Sequence, residues 1–426
     1  MNPTRRSTLP HGLRVVTEHV PGARGFNVGI FVGVGSRDEG PGEHGASHFL
    51  EHVLFKGTPS RDAEQISAVI ERFGGDLNAY TTREYTCFHA RVLADQTSTA
   101  VEVLTDMLAN SLVRPGDVDT EREVILDEIA MHDDDPAEAA LEAAIAALFA
   151  GTELAPTVIG SSGSIRRQSA RRVRDYWRRN YTSDRIVVAA VGAVYDEALC
   201  RELAGFDAAL APREQRPTDR TTAVPDAARR VTVRITELAQ TSVVLAFPGL
   251  AALDPRREAL ALLAVALGGG MSSRLFQEVR EKRALAYTID CSESAWNDAG
   301  LFTIDWQALP QRNAEIADVV TRIVGDVLRD GITADELAAA TGQLMGQSLL
   351  HFESPSARMG QLGSGTLRGD HRSVDELVQA YAEVRLEQVN QLAREVLAGP
   401  PVVSVAGADA GRSLGRRLQH HWPAAG

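Results

Sequence analysis

The chain has 426 residues, more than one hydrophobic core normally organises, so two or three domains are expected. Hydrophobic residues make up 44% and charged residues 24%, an ordinary globular composition that excludes a disordered chain. A net charge of -13 with a pI near 5.4 leaves no general positive face for a nucleic-acid backbone, so nucleic acid is not an expected partner.

At the start, Met1 to Arg6 carries charge, but no apolar run follows before Pro10-His11-Gly12, so no secretory signal is expected. Cys87, Cys200 and Cys291 lie far apart and form no CxxC pair, which argues against a disulfide framework and a cysteine-based zinc site. The longest apolar stretch, 259–267, is too short to span a bilayer. Together these predict a cytoplasmic protein with no membrane partner. Lys56 and Lys282 are the only lysines, and the resulting arginine bias, with much alanine, fits a GC-rich bacterial genome.

The first predicted elements are strands over 13–20 and 26–33, rich in Val, Ile and Phe. A polar loop over 36–45 leads into a helix over 46–55. A second helix over 62–73 ends at Gly74-Gly75, residues suited to a C-cap. Strands over 77–82 and 86–93 follow. Helices are then predicted over 98–111, 117–132 (Asp117 placed as its N-cap), 137–149 and 165–181, and a strand over 185–191 closes at Gly192.

The second half starts similarly, with strands over 230–235 and 241–247 and a helix over 256–267 ending at Gly268-Gly269-Gly270. Near its end, Pro401-Val402-Val403-Ser404-Val405-Ala406-Gly407 echoes Ile186-Val187-Val188-Ala189-Ala190-Val191-Gly192, half a chain away, as a duplicated α/β unit would. Residues 211–228, rich in Pro, Arg, Thr and Asp without apolar period, read as a linker. The fold class is therefore α+β: two similar domains, 1–212 and 229–426, joined by residues 213–228.

The chemistry concentrates in His48-Phe49-Leu50-Glu51-His52. Residues four apart share a helix face, so both imidazoles can reach one zinc ion at about 2.0–2.1 Å. Glu51 points the same way and is placed to take a proton from water activated by the ion. A chance match giving two surface histidines is the bland alternative. A third ligand is needed. On the helix over 117–132, Glu121 and Glu128 lie seven apart on one face with Val124 and Ile125 between them. A carboxylate in an apolar stripe is costly unless paired or metal-bound. An ordinary solvated face is the alternative that spacing alone leaves open.

The longer phrase His44-Gly45-Ala46-Ser47-His48-Phe49-Leu50-Glu51-His52-Val53-Leu54-Phe55-Lys56-Gly57-Thr58 resembles the signature of the pitrilysin/insulinase family of inverzincins. It is closest to the branch of the mitochondrial processing peptidases and small bacterial zinc peptidases. The resemblance covers essentially the whole chain. It implies two homologous α/β-sandwich domains, each a mixed, largely antiparallel sheet with helices packed on it. It also implies one Zn2+ per chain on His48, His52 and Glu128, with Glu121 as a supporting acid and Glu51 as base.

By the same resemblance, the segment Gly74-Gly75-Asp76-Leu77-Asn78-Ala79-Tyr80-Thr81 holds an edge strand whose Asn78 and Ala79 pair with an extended peptide. Without the resemblance it reads as a short strand after a glycine turn. Val279-Arg280-Glu281-Lys282-Arg283-Ala284-Leu285-Ala286-Tyr287 matches a second motif, implying that Arg280 and Tyr287 stabilise the oxyanion at the scissile carbonyl. Read by themselves they are a surface Arg and a core Tyr.

The implied activity is that of a zinc metalloendopeptidase acting on short or unfolded peptides inside a homodimeric chamber. A non-catalytic assembly subunit and a zinc hydrolase of non-peptide substrates are the rival classes. Gly268 to Arg274 lacks the Lys-Ser/Thr of a P-loop, and a helix C-cap accounts for it as well as a chamber-lining loop. His420-His421 reads as a disordered polar tail, and Asp133-Asp134-Asp135 as a solvated helix exit rather than a calcium loop.

Overall fold

The computed structural model describes residues 4–212, 220–226, 231–235, 239–407 and 411–423. These form two compact units. The first comprises residues up to Ile129, Pro156–Arg220 and Leu350–His371; the second comprises Ala130–Ala155, Thr221–Leu349 and Arg372 onward.

The first unit is built on six strands: β1 (Thr4–Thr8), β2 (Arg14–His19), β3 (Gly25–Val32), β4 (Asp76–Thr81), β5 (Thr86–Leu93) and β6 (Ile186–Gly192). Their spatial order is β1-β2-β6-β3-β5-β4. Only β2 and β6 run parallel; the other neighbours are antiparallel. All residues of β6 are buried, because the sheet is covered on both faces, and the strand reads as a continuous apolar run rather than an alternation. Along β3, Phe26, Val28, Ile30 and Val32 enter the main core with Phe49, Leu50, Val53 and Leu54 of the helix Ala46–Leu54. Phe31 faces the other way, into a smaller cluster with Met359 and Leu362 of the helix Pro355–Arg368. That helix lies close to the sheet because Gly363 meets the Phe31 ring, where a Cβ would collide.

The second unit holds β7 (Val231–Ile235), β8 (Thr241–Pro248), β9 (Thr288–Ala295), β10 (Gly300–Ala308) and β11 (Val402–Gly407), ordered β7-β11-β8-β10-β9. Here too one pair, β7 and β11, is parallel and the rest are antiparallel. The order matches β2-β6-β3-β5-β4 strand for strand, with β1 as an addition. The echoing segments, β6 and β11, occupy the same place in each sheet. The helix Pro136–Leu148 packs on β8 and β11 through Ala140, Ala144 and Leu148. The strands of the repeat thus fall in 1–212 and 229–426. The compact units differ from those halves by one helical segment each.

Several sequence expectations change. The helix over 165–181 is two helices, Ser162–Ile165 and Ala170–Asn180, because the Ser161 and Ser169 hydroxyls each accept a first-turn amide and start a new helix. Strand β1, Thr-Arg-Arg-Ser-Thr, is additional; its polar sequence carries no apolar alternation. His420 and His421 end the helix Gly411–His421 instead of forming a polar tail. Of the linker expected over 213–228, residues 213–219 and 227–228 lie outside the described residues, and 221–226 have no regular structure. Among the described residues no helix is long and apolar enough to cross a membrane.

Candidate metal centre

The helix Ala46–Leu54 begins at Gly45, whose φ of 87° is a left-handed conformation where a Cβ would collide with Ile165 and the Ile159 carbonyl. The amides at its start, which have no partner within the helix, are met by Glu39, whose carboxyl oxygens accept from the Gly45 N–H at 2.7 Å and the Ser47 N–H at 2.8 Å. Burial pushes the Glu39 carboxyl up to about 8, against the pull of those donors. Ser47 Oγ and Tyr176 OH, 2.7 Å apart, tie the same turn to the helix Ala170–Asn180. With Phe49, Leu50, Val53 and Leu54 in the core, His48, Glu51 and His52 are left on the helix's other side.

The second helix runs over Pro115–Asp134, with proline at its first position and Asp117 inside the first turn rather than at the N-cap. Its buried stripe is Val118, Glu121, Ile125 and Ile129. Val124, expected on that stripe, is 41% exposed. Glu121 is the carboxylate embedded among apolar neighbours, and both its oxygens are satisfied: His52 Nδ1 lies at 3.0 Å and Lys56 Nζ at 2.7 Å. The bond to Nδ1 fixes the tautomer and turns His52 Nε2 outward.

That nitrogen lies 3.5 Å from Glu128 Oε2, and His48 Nε2 lies 3.8 Å from the same oxygen. Ligand atoms of His48, His52 and Glu128 fall within 4.8 Å of one another, the one such group among the described residues. Bonds of about 2.0–2.1 Å in a tetrahedron require ligand atoms about 3.3 Å apart. The spacing and the two-nitrogen, one-oxygen donor set therefore fit zinc with a position left open.

Glu51 is 9% exposed and accepts a hydrogen bond from Thr81 Oγ1. Burial raises its pKa, the Thr81 bond and the His52 charge oppose that, and Glu128 adds to the rise. A dication held by the neighbouring ligands would pull it downward. Thr81 is the last residue of β4, the edge strand, which pairs only with β5. On the same strand the Ala79 N–H donates to Asn78 Oδ1 at 2.8 Å.

Arg280 and Tyr287 belong to the second unit. Arg280 lies in the π-helical turn Phe276–Glu281, and the chain then reverses through Ala284, whose φ is 50°. The reversal buries Leu285 and leaves Tyr287 76% exposed, with the Arg280 guanidinium 4.6 Å from its ring centre. The expectation of a core tyrosine, read without the resemblance, therefore gives way to an exposed phenol. Gly268 donates to the Ala264 carbonyl at 2.9 Å as the C-cap of Arg257–Leu267. Asp135 caps Pro136–Leu148, so the aspartate run joins two helices.

Sequence reasoning assigned no role to Thr81, Lys56 or Glu39. Lys56 had a signal, since it follows His48 and His52 at the same four-residue interval. Thr81 and Glu39 had none, because their partners are set by tertiary contact.

Two family models match the chain: insulinase (peptidase family M16) over residues 14–162, and the peptidase M16 inactive domain over residues 168–344. An uncharacterized zinc protease of Streptomyces coelicolor is 41% identical over 415 residues, 95% of this chain and 89% of that protein. One of Mycobacterium tuberculosis is 40% identical over 97% of this chain and 96% of its own. One of Bacillus subtilis is 32% identical over 92% and 95%. Among solved structures, a protease from Helicobacter pylori superposes with a TM-score of 0.89 at 19% identity, over 96% of this chain and 100% of that chain. A peptidase M16 inactive domain protein from Pseudomonas fluorescens gives 0.86 at 21% identity, over 96% and 98%. At such identities these two share the fold.

Proposed function

Because the chain belongs to the insulinase family of M16 peptidases and is a zinc-dependent peptidase, we propose that it is an endopeptidase cutting short or unfolded polypeptides. The observation that carries the reading is the meeting of four groups. His48 Nε2, His52 Nε2 and the Glu128 carboxylate converge, while Glu51 of the same helix is bonded to the end of an open sheet edge.

Bound zinc supplies the Lewis acidity that makes water a nucleophile near neutral pH. His48, His52 and Glu128 are the residues that hold it, and Glu121 orients His52 through Nδ1. Glu51 takes the proton of the attacking water and passes it to the leaving amine. Thr81 keeps its carboxylate aimed. An extended peptide adds to β4 as a further strand, its carbonyl displacing the Asn78 side chain from the Ala79 N–H. Such pairing selects chains without stable structure, since a folded substrate has no free strand to offer.

Arg280 and Tyr287 are the proposed donors to the oxyanion of the tetrahedral intermediate. Their chemistry supports this: the phenol is exposed, and the guanidinium stacked on it restrains the ring. A homodimer enclosing the substrate and a cytoplasmic location complete the reading. Light scattering tests the first, with a mass of two chains expected and a monomer contradicting it. Incubation with an unstructured peptide library tests the activity: internal cleavage that stops with chelator is expected, and release of single terminal residues would replace endopeptidase with exopeptidase.

A further inference from the structure

A second site lies in the first unit, on the sheet face away from the metal helix. Asn27 sits between Phe26 and Val28 on β3, so it points opposite to their core. There a cavity of about 320 Å³ opens between the sheet and the start of the helix Pro355–Arg368, lined in part by Arg24, Asn27, Arg91, Ser354, Pro355 and Ser356.

Three independent features of this cavity point to an anion. The fourteen-residue helix directs its N-terminus into it, with Ser354 as N-cap and Pro355 in the first turn. Asn27 is 3% exposed, and its Oδ1 accepts from Ser356 Oγ at 2.8 Å. The amide nitrogen of Asn27 has no acceptor among the described residues and lines the cavity. Arg24 and Arg91 flank the opening, both exposed, and among the described residues neither has an ion-pair partner. Glu18 is buried and bonded by Arg358, and Asp76, opposite Arg91 in the ladder, makes no ion pair with it among the described residues.

We propose that this cavity binds the phosphate group of a small phosphorylated molecule. Two arginines, an amide side chain and the start of a helix belong to the cavity's lining. That suits a tetrahedral dianion with three free oxygens better than a planar carboxylate with two. The volume lies at the lower end of the roughly 300–1,000 Å³ of small-molecule sites, so there is room for more than a bare ion. The site is separate from the peptidase centre and does not depend on that assignment.

The test is calorimetric titration of the zinc-loaded protein with inorganic phosphate and with ribose 5-phosphate, using acetate as the control. Stoichiometric binding of a phosphate compound, and none of acetate, is expected. The double variant Arg24→Gln/Arg91→Gln should weaken it by about tenfold or more, the scale of a lost charge-assisted hydrogen bond. Tighter binding of the ester identifies an organic phosphate as ligand; tighter binding of inorganic phosphate identifies the free ion. Both arginines are exposed and outside the peptidase centre, so peptide cleavage by the variant should equal that of the parent and reports its folding. No binding of either compound overturns the proposal, as does binding that the double variant leaves unchanged.

Discussion

Glu121→Ala removes one side chain and breaks two contacts at once: the 3.0 Å bond to His52 Nδ1 and the 2.7 Å contact with Lys56 Nζ. The ligands themselves are untouched. What changes is the order of His52, whose Nε2 now faces Glu128 only because Nδ1 is held from behind. Loss of such a supporting partner costs about 10–100-fold in metal affinity, or about 1.4–2.8 kcal/mol. Lys56 is one-third exposed and stays solvated, so folding should change less than metal binding. Glu121→Gln keeps an oxygen for Nδ1–H but sets an amide against the lysine, and should fall between parent and Glu121→Ala. Competition against a zinc-binding dye gives the affinities, and thermal unfolding of the metal-free proteins separates the folding effect. Zinc affinity unchanged in Glu121→Ala would refute the argument that this carboxylate positions the ligand.

Tyr287→Phe removes a donor proposed to meet the oxyanion, so kcat should fall about 10²–10³-fold with zinc content unchanged; an unaltered kcat removes Tyr287 from that role. Gly363→Leu forces a side chain into the Phe31 ring and should cost about 1–3 kcal/mol in a urea melt, with an unchanged midpoint as the contrary result. Glu39 has a folded pKa raised to about 8, so the stability linked to its protonation is present below the unfolded value and is lost as pH rises through about 8. Relative to the non-titrating Glu39→Gln variant, the parent should therefore lose stability between about pH 4.5 and 8 and no further above that. A difference that stays constant with pH would contradict the buried, protonated carboxyl.

Much of this was legible in local spacing. His48, Glu51 and His52 share a short helix, and i, i+4 periodicity alone places the two imidazoles together. Glu121 and Glu128 share a helix seven residues apart, yet only the family resemblance pairs that helix with the first. Val124 shows the limit of periodicity: the stripe at Glu121, Ile125 and Ile129 turns Val124 to solvent, so an apolar residue beside the site is not part of its support. Thr81, bonded to Glu51 from thirty residues away, needs the register of β4 to be known first.

The placing of Pro136–Leu148 and Pro355–Arg368 was the least legible feature. The first has alanine at four of its six buried positions and offers little apolar period. The second reaches β3 and β6 through Met359, Leu362 and Gly363, and no sequence signal named those strands as its partners. The duplicated topology fared better, because β6 and β11 are buried on both faces and are apolar but for Ser404, whose hydroxyl is met by Thr232 Oγ1 at 2.8 Å.

The most direct measurement pairs zinc content with peptide cleavage for the parent and for Glu51→Gln. The parent should hold one zinc per chain and cleave an unstructured peptide, with activity abolished by chelator and restored by zinc. Glu51→Gln should hold the same zinc and lose about 10²–10⁴-fold in turnover, the contribution of a positioned general base. Cleavage by Glu51→Gln at the parent's rate, or cleavage indifferent to chelator, would contradict the account.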